Sequence, residues 1–183
     1  MRKHIGLFVA GLVLCAQGVF AAQPDTRKDL QVFNDIARTV NRYAFFTIFD
    51  DVTAQVKDGV VTLEGRVTMP YKSSDIEKRI AKVDGVSRVV NKLGVLPVST
   101  WDDQLRYRIA RAIYGNAHFW NYAASANPPI HIVVERGRVT LTGVVQSEVE
   151  RMLARALVNQ HGVFSVTNKL LTVAEARDQL EQS

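Results

Sequence analysis

Three histidines, His118, His131 and His161, and two pairs of adjacent carboxylates, Asp50-Asp51 and Asp102-Asp103, are the residues of this chain best suited to metal or proton chemistry. Neither set has the spacing which that chemistry needs. A metal site draws its ligands from close-set positions, whereas these histidines are spread over a loop, a strand start and a helix end. Carboxylates working as acid and base flank a scissile bond, and neighbours in sequence do not; turn formation and helix capping explain both pairs. The serines lack a Gly-x-Ser-x-Gly elbow, and the single cysteine, Cys15, falls in an apolar leader. No catalytic residue, no metal ligand and no cofactor is expected.

Aromatic and basic residues offer a different chemistry. Arg106, Arg108 and Arg111 share a helical stretch whose apolar positions are Leu105, Ile109 and Ile113, so most of that charge is expected to point outward; Tyr114, Phe119, Trp120 and Tyr122 follow. Rings at the headgroup level with guanidinium groups near lipid phosphates suit a membrane interface. Arg108, Arg111, Tyr114, Phe119, Trp120 and Tyr122 are therefore the candidate membrane or partner contacts. Each basic residue at an anionic surface contributes about 1 kcal/mol, which with one buried tryptophan makes a weak, reversible association. Tyr43, Phe45, Phe46 and Phe49 hold the corresponding place earlier in the chain, where sealing the open end of a small core is the expected role.

The elements that position these residues are written twice. GVVTLEGRV at 59–67 returns as GRVTLTGVV at 137–145, and Gly85-Val86, Val89 and Asn91-Lys92-Leu93 return as Gly162-Val163, Val166 and Asn168-Lys169-Leu170. Upstream, Ile36-Ala37-Arg38 matches Ile109-Ala110-Arg111, so the second copy carries about five extra residues before its first strand, in the loop YAASANPP. Each copy reads as helix, hairpin, helix, strand. The first helix shows a stripe at Leu30, Phe33, Ile36, Ala37 and Val40, or at Leu105, Ile109, Ala112 and Ile113. Thr100 is placed to cap the second of these, with Asp102 and Asp103 lending negative charge to its first turn. Val52, Ala54 and Val56, or Ile130, Ile132 and Val134, alternate into a glycine turn. The second helix of copy two opens on the capping box Ser147 to Glu150, with Val149, Leu153, Ala156 and Leu157 as its stripe; that of copy one opens at Pro70 or one turn later at Ser74. Gly59 and Gly137 fall at hairpin turns, Gly65 and Gly143 at strand ends, Gly85 and Gly162 at helix ends, all structural positions.

A final strand lying beside the others after a helix requires a crossover. The predicted fold is α+β: two tandem α-β-β-α-β modules, each a small three-stranded mixed sheet with two helices on one face. The boundaries are 1–21 for a signal peptide, 28–96 and 101–173 for the modules, and 174–183 for a polar tail. VLPVSTW between the copies is short, which makes the modules close neighbours.

Val-Thr-Leu-x-Gly-x-Val followed by a helix and then Gly-Val-x-x-Val-x-Asn-Lys-Leu resembles the BON domain, named for bacterial osmotically inducible and nodulation proteins. Residues 61–67 and 85–93 carry the likeness in copy one, and 139–145 and 162–170 in copy two. The resemblance implies an exported, non-enzymatic protein that associates with phospholipid surfaces or envelope partners and supports the envelope under stress.

The first residues agree with export: MRKH, an apolar run too short to span a bilayer as a mature helix, then VFAA, with cleavage preferred after Ala21. Leu14 is too bulky for the residue before a lipidated cysteine, which argues against an anchor at Cys15. Removing residues 1–21 takes away Arg2 and Lys3 and no acid, lowering the net charge from +5 to +3. That balance is no nucleic-acid footprint. The expectation is a periplasmic protein without a transmembrane helix in its mature chain, whose partner is an anionic phospholipid surface or an envelope protein. The alternative is a chaperone-like factor that uses an exposed sheet edge or the groove between modules.

Overall fold

The computed structural model describes residues 26–182. The leader, its cleavage site and Cys15 lie outside the described residues. Module one runs α1 (Thr26–Asn41), β1 (Asp51–Lys57), β2 (Val60–Val67), α2 (Pro70–Ile80) and β3 (Arg88–Val95). Module two repeats the order with α3 (Thr100–Tyr114), α4 (Trp120–Ala123), β4 (Ile130–Glu135), β5 (Arg138–Val145), α5 (Glu148–Val158), β6 (Ser165–Asn168), β7 (Leu171–Thr172) and α6 (Val173–Gln182). In each sheet the hairpin is antiparallel and the last strand joins its second arm in parallel. This is the expected α+β fold with one difference. The last strand of module two breaks into β6 and β7, both pairing with β5. At the break the Asn168 side chain accepts the Leu170 amide, while Lys169 donates its amide to Leu141.

Each module has its own core. Val61, Leu63, Val67, Ile76 and Ile80 join Val32, Ile36 and Val40 of α1 in the first; Leu105, Ile109 and Ile113 of α3 join Ile132, Leu141 and Val158 in the second. The α1 stripe is thus rotated from the sequence reading: Val32 is buried and Leu30 is 41% exposed. In α5 the buried residues are Ala154 and Val158, with Leu153 and Leu157 partly buried, while Val149 stands 67% exposed. Pro70 opens α2, and Ser147 caps α5 by accepting the Glu150 amide. The polar tail is helical, held by Arg151 on Glu175 at 2.8 Å.

Two glycine assignments shift. Gly65 and Gly143 lie inside β2 and β5 rather than at their ends; Gly143 has φ 114°, and a Cβ there would overlap the Pro129 carbonyl just before the opposing strand β4. Gly85 and Gly162 lie beyond helices that already end at Ile80 and Val158, in the turns that start the last strands.

The asparagine of each Asn-Lys-Leu run fastens the last strand to the second helix. Asn91 donates to the Ser73 carbonyl and to Glu77, and Asn168 to the Arg151 carbonyl. Each also accepts the amide two residues on.

The aromatic run after α1 does more than seal its own core. Tyr43 is buried in module one, whereas Phe49 packs against the core of module two with its ring 5.2 Å from that of Tyr107. Phe46 lies 5.1 Å from the His131 ring, and His131 donates Nδ1–H to the Asp50 carbonyl at 2.7 Å. Thr142 donates to Asp51 and Asn127 to the Asn41 carbonyl. The modules are therefore joined by side chains of the first module's loop.

This junction also covers an edge strand. Three of the outward backbone groups of β4 find partners: the Ile132 amide donates to the Ile48 carbonyl at 2.7 Å, Arg106 donates to the Val134 carbonyl at 2.7 Å, and the Tyr114 hydroxyl donates to the Ile130 carbonyl. Uncovered strand edges invite pairing with other chains, and this one is partly closed, at one group on each of its outward residues.

Candidate functional site

The geometry begins at the start of α3. Ser99, not Thr100, caps the helix, its hydroxyl accepting the Asp102 amide at 3.2 Å. The Asp102 side chain is buried and accepts the amides of Arg136 and Gly137 at 2.7 and 2.9 Å. Those two residues form the β4–β5 turn, with φ 53° and 72°, a conformation that arginine rarely adopts. Asp102 therefore does more than place charge in the first helical turn: it ties helix to hairpin and holds the turn in its strained form. Asp29 takes the Asp58 and Gly59 amides in the same way in module one, at longer range and in a more exposed setting. The repeated aspartate was visible in the alignment, but its partner thirty-odd residues away was not.

The six candidate contacts separate into two groups. Arg108 and Arg111 are exposed on α3, and Trp120 is 72% exposed. Phe119 is wholly buried in the second core, turned inward by a short helical turn over Ala117–Phe119 that Asn116 caps. Tyr114 and Tyr122 pack against the same core with their hydroxyls engaged. Burial, against the opposing hydrogen bond to Ile130, pushes the Tyr114 hydroxyl well above the ordinary tyrosine value. Tyr122 donates to Glu150 at 2.7 Å and accepts the Gln146 amide at 3.0 Å; burial and then the Glu150 carboxylate push it up to about 12. Three of the four rings thus serve packing. Arg106, expected to point outward, is 4% exposed because its guanidinium reaches back to the β4 edge.

Two aromatic residues that the sequence reading passed over stand out instead. Trp101, 47% exposed, has the Arg108 guanidinium 5.9 Å from its ring centroid, and Arg108 also donates to the His161 carbonyl at 3.0 Å. Phe164, 79% exposed, leans on Gly137, while Trp101 leans on Gly162. These glycines adjoin each other, so the two rings and the guanidinium form one exposed patch beside the β4–β5 turn. The repeat contained the signal: the residue aligned with Phe164 is Ser87, and that aligned with Trp101 is Lys28.

Asp50, one of the paired carboxylates, is buried and makes an ion pair with buried Lys72 at 2.6 Å. Burial alone would raise its pKa, but the bonds from Lys72, from the Thr68 amide and from the Thr47 and Thr68 hydroxyls outweigh it and hold the carboxyl below its usual value. Lys72 aligns with Glu150, so the two modules fasten the start of the second helix with opposite charges. A charge pair sealed from solvent this way is a fastening, without access for a substrate. Among the described residues no three His, Cys, Asp or Glu side chains gather as a metal site would require, and no helix is long and apolar enough to cross a membrane.

A search of curated proteins finds no match to the chain. Among solved structures it is similar to CdsD, a structural protein of the type III secretion system of Chlamydia trachomatis. Against the CdsD C-terminal domain the identity is 14%, the coverage 67% of this chain and 57% of that one, and the TM-score 0.31. A second CdsD structure gives 13% identity, 80% and 97% coverage, and a TM-score of 0.30. Likeness at this level settles nothing about role. The family model for the BON domain, in contrast, matches residues 29–97 and 102–175, one match on each α-β-β-α-β unit. The chain belongs to the BON domain family, with two of these domains in tandem.

Proposed function

We propose that this chain is a non-enzymatic binding protein of the bacterial envelope, exported to the periplasm, whose second module rests the start of α3 on an anionic phospholipid surface. The observation that carries the reading is the patch of Trp101, Phe164 and Arg108. Amphipathic rings beside a cation suit the boundary between headgroups and acyl chains, and neither ring is repeated at the aligned positions of module one, Lys28 and Ser87. Arg111 follows Arg108 by one turn on the exposed side of the helix, and each such charge adds about 1 kcal/mol near an anionic surface. Trp120 is also exposed, beyond the far end of the same helix.

Module one supports this arrangement by holding module two: Phe49 and Ile48 pack and bond against it on the β4 side, away from the β4–β5 turn. The test is co-sedimentation of residues 22–183 with phosphatidylglycerol-containing and purely zwitterionic vesicles at low and moderate salt. Binding confined to the anionic vesicles, weakened by salt and by Trp101→Ala or Phe164→Ser, is expected. Equal recovery with both vesicle types, or binding indifferent to these substitutions, would refute the assignment.

A further inference from the structure

The two modules treat the same strand edge differently. In module two three of the outward backbone groups of β4, one on each outward residue, are taken by Arg106, Tyr114 and Ile48. In module one the residues aligned with Arg106 and Tyr114 are Phe33 and Asn41. A phenylalanine cannot donate to a carbonyl, and Asn41 is too short to replace a tyrosine. The registers are equivalent, with Val52 opposite Gly65 and Ala54 opposite Leu63 as Ile130 is opposite Gly143 and Ile132 opposite Leu141. The backbone groups of Val52, Ala54 and Val56 therefore point outward, as those of Ile130, Ile132 and Val134 do. Among the described residues none bonds to them beyond the β1–β2 ladder.

The open edge is not simply surface. It forms one wall of a cleft of about 560 Å³ between the modules. Phe33 and Ala37 of α1 line one side, and Pro129, Val144 and Leu171 of module two line the other, with Lys169 among the polar residues. Both walls carry apolar side chains, and backbone donors and acceptors lie between them at two-residue spacing. A lipid tail satisfies the walls and leaves the backbone groups unpaired. An extended polypeptide satisfies both, its backbone pairing with β1 and its alternate side chains filling the cleft. At the equivalent edge the chain itself already supplies one such backbone bond, from the Ile132 amide to the Ile48 carbonyl in the Thr47–Asp50 turn. A free extended segment fits the cleft better than a second folded copy, whose own β1 lines the same cleft.

We propose that the cleft binds an extended, unfolded segment of a partner protein by strand addition to β1, with small or β-branched apolar side chains entering between α1 and module two. The site is distinct from the Trp101–Phe164 patch and does not depend on lipid binding.

The probe is a fluorescein-labelled peptide of alternating valine and threonine, with a matched control N-methylated at every residue so that the backbone donors of both its edges are lost. Fluorescence anisotropy with residues 22–183 is expected to show binding of the first and not of the second. Ala54→Pro removes an outward N–H that the β1–β2 ladder does not use, a change tolerated at an edge strand. It is expected to weaken binding about tenfold, the scale of one hydrogen bond. The double variant Phe33→Arg, Asn41→Tyr installs the two side-chain contacts of module two, occupies the Val52 and Val56 carbonyls, and is expected to weaken binding at least tenfold.

Amide exchange on the unmutated protein tests the edge without any variant. Ala54 N–H exchanges much faster than Ile132 N–H in the free protein and is slowed by the peptide. Ala54 protected like Ile132 without peptide, equal binding of the N-methylated control, or no binding at all would overturn the proposal. So would protection of Ala54 that grows with protein concentration, which would make a second copy the occupant.

Discussion

Replacing Lys72 with methionine probes the physical argument most sharply, because it removes one charge and leaves the other buried. The Asp50 carboxylate takes five hydrogen bonds: from the Thr47 amide and hydroxyl at 2.9 and 2.8 Å, the Thr68 amide and hydroxyl at 2.7 and 2.8 Å, and Lys72 at 2.6 Å. Breaking a buried ion pair from one side costs about 3–5 kcal/mol, most of it from the charge left behind. Four of the five donors remain in Lys72→Met, so the expected loss lies at the lower end, about 3 kcal/mol at pH 7. Removing both charges with Asp50→Asn in addition returns part of that loss, since neither charge is then stranded.

The pH dependence has a definite sign. Asp50 is held below its unfolded value in the native protein, so its contribution is present above that value and is lost as pH falls through the lower, folded one. Without Lys72 the folded carboxyl takes its proton at higher pH. The gap between variant and parent is therefore widest near neutrality and narrows in acid. Urea denaturation followed by far-ultraviolet circular dichroism between pH 3 and pH 8 measures this. A loss under about 1 kcal/mol at pH 7, or a gap that widens in acid, would refute the reasoning.

Asp102→Ala is expected to cost about 1–3 kcal/mol by orphaning the Arg136 and Gly137 amides, and Asp29→Ala less because its setting is more exposed; parallel urea titrations rank the two. Gly143→Ala should destabilise by about 2 kcal/mol or more through its positive φ and the collision with the Pro129 carbonyl. Gly94→Ala, whose new Cβ meets the movable Arg66 side chain, costs less in the same denaturation assay. Tyr43 and Tyr122 are both pushed up to about 12, by burial first and then by Asp75 and Glu150. Their absorbance change near 295 nm is expected only around pH 12. The stability they confer is present below the unfolded tyrosine value of about 10 and is lost as pH rises through 12.

The sequence by itself determined the order of elements and their duplication. Apolar alternation, glycine turns and the Ser147 capping box are local signals, and a repeat doubles the chance of reading each one. Helix faces were less secure: Leu30 and Val32 are two residues apart on α1, and only the position of the sheet decides which is buried. The same limit applied to Arg106, whose guanidinium turns inward because an uncovered carbonyl of β4 lies within reach. Asp102 and its turn amides, Asp50 and Lys72, and Phe49 and the second core are pairs that chain folding brings together across separate elements. No local pattern encodes such distances. Tertiary structure also decided that Phe119 is core while Trp101 and Phe164 are surface, because exposure depends on what packs alongside a ring and not on its neighbours in the chain. The open β1 edge is the clearest case: it shares the apolar alternation and register of β4, and the difference comes from Phe33 and Asn41 on α1 in place of Arg106 and Tyr114, and from the Ile48 carbonyl that only β4 meets, all of which lie beside the strands only in the fold.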